Sequence, residues 1–196
     1  MSIIRPAGLT DAAAIRDIYA PSITRRDVAT SFEMEVPTAE EIADRISTKT
    51  AVYPWLVMEE DGQLAGYAYA DPHRARVAYQ WCAEVSVYVN AAHHRKGVGR
   101  KLYEVLFDIL RKQGVVNLYA GITLPNPGSV GLHELLGFKL VGIYESIGFK
   151  FGKAHDVGWW HLRLQPWPHQ PRPITPVTEL DLSTLLQRWN DGAAAG

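Results

Sequence analysis

Residues 79–110 read YQWCAEVSVYVNAAHHRKGVGRKLYEVLFDIL, and this stretch decides the fold. Val85, Val87 and Val89 alternate with Glu84, Ser86 and Tyr88, the period of a strand with two unlike faces, which predicts a strand over 79–89. A basic, glycine-containing turn follows from His93 to Arg100. Leu102, Val105, Leu106, Ile109 and Leu110 then recur at helical spacing up to Gly114, a helix-closing residue. Within the turn, Arg95-Lys96-Gly97-Val98-Gly99-Arg100 sets small residues and cations where the helix begins. Glycine lets the backbone approach an anion, and the N–H groups of a first helical turn bind phosphate oxygens. The turn lacks the Gly-Lys-Ser/Thr of a triphosphate loop, and Leu102 stands where a dinucleotide fingerprint has its third glycine. On pattern alone it fits either an anion cradle or an ordinary exposed turn.

Upstream, Thr10 and Asp11 are expected to cap a helix to about Tyr19 that Pro21 ends. Thr38-Ala39-Glu40-Glu41 reads as a capping box opening a helix to about Lys49. Trp55 to Met58 and Leu64 to Ala70, joined at Asp61-Gly62, read as a β-hairpin. Downstream, Asn117 to Ile122 is a strand, and Pro125 to Gly128 starts a helix that Gly137 closes. The runs 138–147 and 157–164 are strand-like. From Pro166 the composition shifts: five of the twelve prolines stand at 166, 168, 171, 173 and 176, a stiff extended arm. Beyond it Leu182, Leu185, Leu186 and Trp189 lie on one face of a short helix, expected to dock on the domain, with a second subunit favoured over its own. Residues 192–196 are expected to fray. The chain thus divides into a domain over 1–165 and a C-terminal arm over 166–196.

The chain has 196 residues, 47% of them hydrophobic, with a net charge of -1, which excludes a disordered chain. No run of about 18 apolar residues exists, so no membrane span is expected. Met1 to Arg5 lead into a polar, helix-like stretch with no signal-peptide core. Cys82 is the one cysteine and cannot form an internal disulfide, which fits a cytoplasmic location. Near-neutral charge argues against a nucleic-acid partner. His93, His94 and His155 have no third ligand at suitable spacing, so no metal is implied. Cys82 reads as a small buried residue, and Tyr79, Trp81 and Tyr88 as core or lining.

Together, Glu84-Val-Ser-Val-Tyr-Val-Asn90, the His94-Arg-Lys-Gly-Val-Gly99 turn and Asn126 to Phe138 resemble the GNAT acetyltransferase superfamily. More narrowly, Tyr53-Pro-Trp-Leu-Val57, Gly66-Tyr-Ala-Tyr-Ala70, Leu124-Pro-Asn126, His155-Asp-Val-Gly158, Pro171-Arg-Pro173 and Pro176-Val-Thr178 are similar to phosphinothricin N-acetyltransferases, over about residues 3–180. The resemblance implies an α/β fold whose central mixed sheet, flanked by helices, is splayed between its fourth and fifth strands, with acetyl-CoA in the gap. It implies that the backbone of Val87, Tyr88 and Val89 pairs with the pantetheine arm. Arg95, Lys96, Gly97, Val98, Gly99 and Arg100 would hold the pyrophosphate, and Asn126 would contact the cofactor. His94 departs from the superfamily's usual Gln or Arg.

Acetyl transfer needs an uncharged amine, because an ammonium has no lone pair, and a carboxylate beside the thioester can take that proton. The family pattern puts this base at Glu84; on spacing alone a rim carboxylate paired with an arginine fits equally. His133 stands where many members carry a tyrosine, which implies an acid or proton shuttle, the alternative being a structural helix histidine. The guanidiniums of Arg74 and Arg76 suit a carboxylate or phosphinate. Phe32, Met34, Arg74, Ala75, Arg76, Glu84, Val85 and Ser86 are the substrate contacts the resemblance implies. The expected activity is N-acetylation of a small amino-acid substrate such as phosphinothricin or methionine sulfoximine, by a homodimer. The rivals are a GNAT acting on a polyamine, an aminoglycoside or a protein N-terminus, and a CoA-binding module without turnover.

Overall fold

The computed structural model describes residues 2–27 and 30–192. Its elements are β1 (Ser2–Pro6), α1 (Ala12–Thr24), α2 (Ala39–Lys49), β2 (Trp55–Glu60), β3 (Gln63–Pro72), β4 (Cys82–Val89), α3 (Val98–Gln113), β5 (Asn117–Leu124), α4 (Pro127–Leu135), β6 (Lys139–Lys150), β7 (Lys153–Arg163) and α5 (Leu182–Asn190). The strands form one sheet in the order β1-β2-β3-β4-β5-β7-β6. Only β4 and β5 run parallel, as the helical crossover α3 between them requires.

Local chemistry accounts for most boundaries. Thr38 Oγ1 accepts from the Glu41 N–H while a Glu41 carboxylate oxygen accepts from the Thr38 N–H, the expected capping box. Asp61 and Gly62 both have positive φ, 51° and 79°, the primed turn that joins β2 to β3. Gly114, at φ 92°, closes α3.

The N-terminal residues form the edge strand β1, pairing antiparallel with β2, and the helix-like stretch they lead into is α1. Three expectations need correction. Helix α1 continues through Pro21 to Thr24: so near the C-terminus the proline forfeits one N–H bond, and the Arg25 N–H still reaches the Pro21 carbonyl at 3.2 Å. Strand β4 starts at Cys82, because Val77–Tyr79 make a turn of 3-10 helix first. Strands β6 and β7 extend into one long hairpin that turns at Phe151 and Gly152, both at positive φ.

The sheet separates two apolar layers. Leu56, Met58, Ala68, Ala70 and Val85 face α3 and α5, while Trp55, Val57 and Tyr67 face α1 and α2. Strands β4 and β5 share only three rungs, Cys82↔Asn117, Ala83↔Leu118 and Glu84↔Tyr119, although each is eight residues long. Beyond Glu84 they part, so the sheet is splayed where the resemblance implied.

The C-terminal arm packs on its own chain rather than on a second subunit. Leu185 and Leu186 are buried in the core beside α3, with Leu182 and Trp189 packed against it. The Trp189 indole N–H donates to Asp108 at 3.0 Å. Asn190 meets edge strand β1 as a peptide would, accepting from the Ile4 N–H at 2.8 Å and donating to the Ile4 carbonyl at 3.0 Å. The arm is fastened by Gln113, whose amide donates to the Val52 and Thr175 carbonyls at 2.6 and 2.8 Å. Residues 193–196 of the expected frayed end lie outside the described residues. Among the described residues no helix is long and apolar enough to cross a membrane.

Leu186→Ala is expected to destabilise the whole fold by about 2 kcal/mol or more through the cavity left beneath α5. In a chain of this size that lowers Tm by roughly 4–8 °C. A melting curve unchanged from the wild type would contradict this docking.

Candidate active site

Glu84 occupies the last rung before the sheet parts, and its carboxylate is half-buried at the base of the gap. One oxygen, Oε1, lies 2.9 Å from Nδ1 of His73. The His73 ring stacks on Tyr119 at 4.2 Å with 13° between the planes, and meets the edge of Trp159 at 5.7 Å. The residue after β3, one each from β4, β5 and β7, therefore converge where the strands diverge. The partnership with His73 was not foreseen from the sequence. Its signal lies in the β3–β4 register: Asp71 opposes Glu84, so His73, two residues on along the same face, is Glu84's diagonal neighbour.

On the other side of the fork, the β4 edge from Val85 to Val89 has no partner on β5. Its Val89 carbonyl accepts from His94 Nε2 at 3.0 Å, so the residue that departs from the superfamily's pattern ties the following turn back to the strand. Arg95 and Gly97 take left-handed φ values of 60° and 82°, and α3 begins at Val98. A Cβ at Gly97 would meet no atom within 4 Å, which leaves the helix start open to an anion. Gly99 acts differently. A Cβ there would come 3.2 Å from Leu132 and 3.5 Å from Val89, so this glycine lets α3 press on α4 and β4. Arg100 is bonded to Glu104 one turn along the helix, at 2.7 Å. Asn126 caps α4, its side-chain oxygen accepting from the Ser129 N–H. The open strand edge and the uncovered, cationic helix start fit a long co-substrate with a phosphorylated end.

The substrate contacts implied by the resemblance are only partly assembled. Phe32 leans over Gly148, where any Cβ would fall 2.3 Å from its ring, and with Tyr144, Ile147, Phe149, Val157 and Trp159 it lines an open apolar cavity of about 490 Å³. Trp159 also touches His73, so this cavity adjoins the Glu84 pair. The loop carrying Phe32 is pinned by the buried ammonium of Lys150, which donates to the Ser31 and Glu33 carbonyls at 2.8 and 2.6 Å. Burial lowers the Lys150 pKa from its usual range, and Glu33 counteracts this. Met34 is 74% exposed and forms no part of the cavity lining. Arg74, Ala75 and Arg76 are exposed on the loop after β3. Val85 points into the core beneath α3 and offers only its backbone, whereas Ser86 shares the face of Glu84.

His133 is 3% exposed, packed edge-on against Tyr103 and Phe138. Its Nδ1 lies 2.8 Å from the Ser129 carbonyl, which only accepts, so Nδ1 carries the hydrogen. Nε2 then accepts from the Tyr103 hydroxyl at 3.1 Å. Burial pushes this imidazole below the usual histidine range, the Ser129 bond working the other way. Both nitrogens are engaged inside the core; Glu84 is bonded elsewhere, to His73. Among the described residues no group of three His, Cys, Asp or Glu side chains is arranged to hold a metal ion.

A mixed sheet opened beside a carboxylate, with a cationic glycine turn at the far rim, is the architecture of a group-transfer enzyme with an extended anionic co-substrate. The acetyltransferase (GNAT) domain profile matches residues 4–159, and the chain belongs to that family. It is 42% identical over 177 residues to phosphinothricin N-acetyltransferase of Streptomyces viridochromogenes, covering 90% of this chain and 95% of the relative. It is 36% identical over 161 residues to L-methionine sulfoximine/L-methionine sulfone acetyltransferase of Salmonella typhimurium, covering 82% and 94%. The crystal structure of a GNAT superfamily phosphinothricin acetyltransferase from Sinorhizobium meliloti in complex with AcCoA matches with a TM-score of 0.81 at 31% identity, covering 90% of this chain and 98% of that one.

The lowered His133 pKa predicts a pH dependence of stability. An unfolded histidine binds its proton near pH 6.5, before the buried one does, so protons favour unfolding and stability falls as pH drops below about 6.5. His161, also lowered, contributes with the same sign. His133→Phe leaves the Tyr103 hydroxyl unpaired and is expected to be less stable at pH 7, but to lose less between pH 7 and pH 5. Urea midpoints at the two pH values check this; equal losses in both proteins would contradict a buried neutral imidazole.

Proposed function

We propose that the protein transfers acetyl from acetyl-CoA to the amine of a small amino acid of the phosphinothricin or methionine sulfoximine kind. The observation that carries this reading is the carboxylate of Glu84 at the fork of the parted sheet, with an unpaired strand edge running from it toward the cationic turn. Acetyl-CoA, when bound, supplies a thioester whose C–S bond breaks as the amine lone pair forms the new C–N bond, the thiolate leaving as CoA. The chain's residues do the rest. The β4 edge from Val87 to Val89 aligns the pantetheine arm, and the Arg95–Arg100 turn takes the pyrophosphate on backbone N–H groups and cations. Asn126 stands at the start of α4, beside the same gap. Glu84 takes the ammonium proton, which frees the lone pair for attack. Phe32 and the aromatic cavity hold the aliphatic part of the acceptor, and Arg74 and Arg76 its anionic groups. The bonding of His133 supports a packing role beneath α4 rather than an acid at the thiolate.

The protein is also proposed to act as a homodimer through β6. This edge strand exposes Leu140, Val141, Ile143, Tyr144, Ile147 and Phe149, an apolar row that an isolated chain would present to water. Ile143→Lys is expected to shift the mass seen by light scattering from dimer to monomer; a wild type that is already monomeric would refute the assembly.

Initial-rate kinetics with free and carboxyl-amidated amino acids test the reaction. Glu84→Gln is expected to lower kcat by about 10²–10⁴-fold with acetyl-CoA affinity unchanged. Arg74→Ala or Arg76→Ala is expected to raise the acceptor KM by roughly tenfold to a hundredfold, the loss of one charge-assisted contact. Amidated amino acids, polyamines or peptide N-termini reacting as well as free amino acids would overturn the acceptor assignment and leave the acetyl transfer standing.

A further inference from the structure

We propose that His73 is a positioning residue for acetyl transfer: its Nδ1–H holds one oxygen of Glu84 so that the other faces the acceptor amine. The proposal rests on Glu84 being the base. An unrestrained glutamate turns about three side-chain bonds, and a base works only within hydrogen-bond reach of the proton it takes. Here Oε1 is fixed 2.9 Å from His73 Nδ1, which leaves Oε2 as the oxygen to face the gap.

Three constraints set the imidazole itself. The His73 backbone N–H donates to the Cys82 carbonyl at 3.2 Å, which carries the β3–β4 ladder one step beyond its last strand rung, Pro72↔Ala83. The ring plane is fixed by the near-parallel Tyr119. The indole of Trp159 abuts it edge-on at 71°. With backbone, plane and flank determined, Nδ1 is aimed at Glu84. The side-chain exposures fit this division of labour: 14% for His73 and 35% for Glu84, so the holder is sequestered and the group held is open. A phenyl ring would satisfy the Tyr119 stack equally well. What the imidazole adds is the N–H donor directed at the carboxylate.

Two substitutions separate the donor from the stack. His73→Phe keeps a ring against Tyr119 and removes the N–H. His73→Asn loses the ring and sets an amide N–H near the Nδ1 position. With the full-length protein, acetyl-CoA and methionine sulfoximine, His73→Phe is expected to lower kcat by about 10–100-fold, the scale of a misplaced reacting group, with the acetyl-CoA KM unchanged. His73→Asn is expected to recover most of that loss. In a Glu84→Gln background, His73→Phe is expected to cost nothing further, because there is no base left to aim. Thermal melts of each variant establish that it is folded. Wild-type kcat in His73→Phe, or an Asn variant slower than the Phe variant, would overturn the proposal, the second pattern marking the ring stack as outweighing the N–H. Normal turnover in Glu84→Gln would instead bring down the base assignment and His73 with it, whereas a slow Glu84→Gln beside a normal His73→Phe removes only the positioning role.

Discussion

The separation of β4 from β5 after a third rung is the constraint on which the rest of the structure depends. Parting two strands in mid-sheet leaves backbone donors and acceptors unpaired, and each such group left dry costs about 1–3 kcal/mol. The sheet sustains this because each half is bound elsewhere: β4 keeps seven rungs with β3, and β5 keeps eight with β7. Close packing beneath the fork then fixes its angle. Helix α3 lies against β3 and β4 because Gly66 and Gly99 have no side chain; a Cβ at Gly66 would sit 2.8 Å from the Tyr88 carbonyl. The gap is therefore built into the core rather than opened by a partner, and Glu84 stands at its base because that is where pairing stops.

The two halves are rejoined at the top by a different kind of contact. Lys150, at the end of β6, reaches across to the loop between α1 and α2 and donates to two of its carbonyls. Burying an ammonium is costly unless its donors are used, and here they pin the segment that carries Phe32. Glu33 in the same segment is held by the two terminal guanidinium nitrogens of Arg45 and by the Tyr19 hydroxyl. The apolar cavity thus has one wall from each half of the sheet, and its shape follows from the fork angle.

Much of this was legible in the chain. The alternation of Glu84 to Val89, the glycines of the turn and the helical spacing after Leu102 specify the strand–turn–helix unit, because each is a local signal read within about ten residues. What escaped depended on register or environment. Strand β1 is five residues long and ends in proline, too short to set a period against its neighbours. The His73–Glu84 pair exists only once β3 and β4 are aligned, since neither residue carries a mark of the other. His133 reads the same in any helix; its burial between Ser129 and Tyr103 emerges only in the fold. The arm after Pro166 showed an apolar face but not its partner, which is the core beside α3, nor the amide bonds by which Asn190 meets β1 at the other end of the chain.

The position of His73 has a consequence for the proposed reaction. The residue proposed to orient the base is also the first of the loop that carries Arg74 and Arg76, one and three residues further on. Strand β3 holds the upstream side firmly, its ladder running to Pro72 and the Cys82 carbonyl holding the next N–H. Tyr119 and Trp159 restrain the ring itself. The arginines proposed to meet the acceptor's anionic groups therefore stand on a segment anchored at His73. Trp159 adds a second link, since the same indole that flanks His73 also walls the cavity proposed to take the acceptor's aliphatic part. The proposed acceptor subsites and the proposed alignment of the base thus meet at two residues, His73 and Trp159.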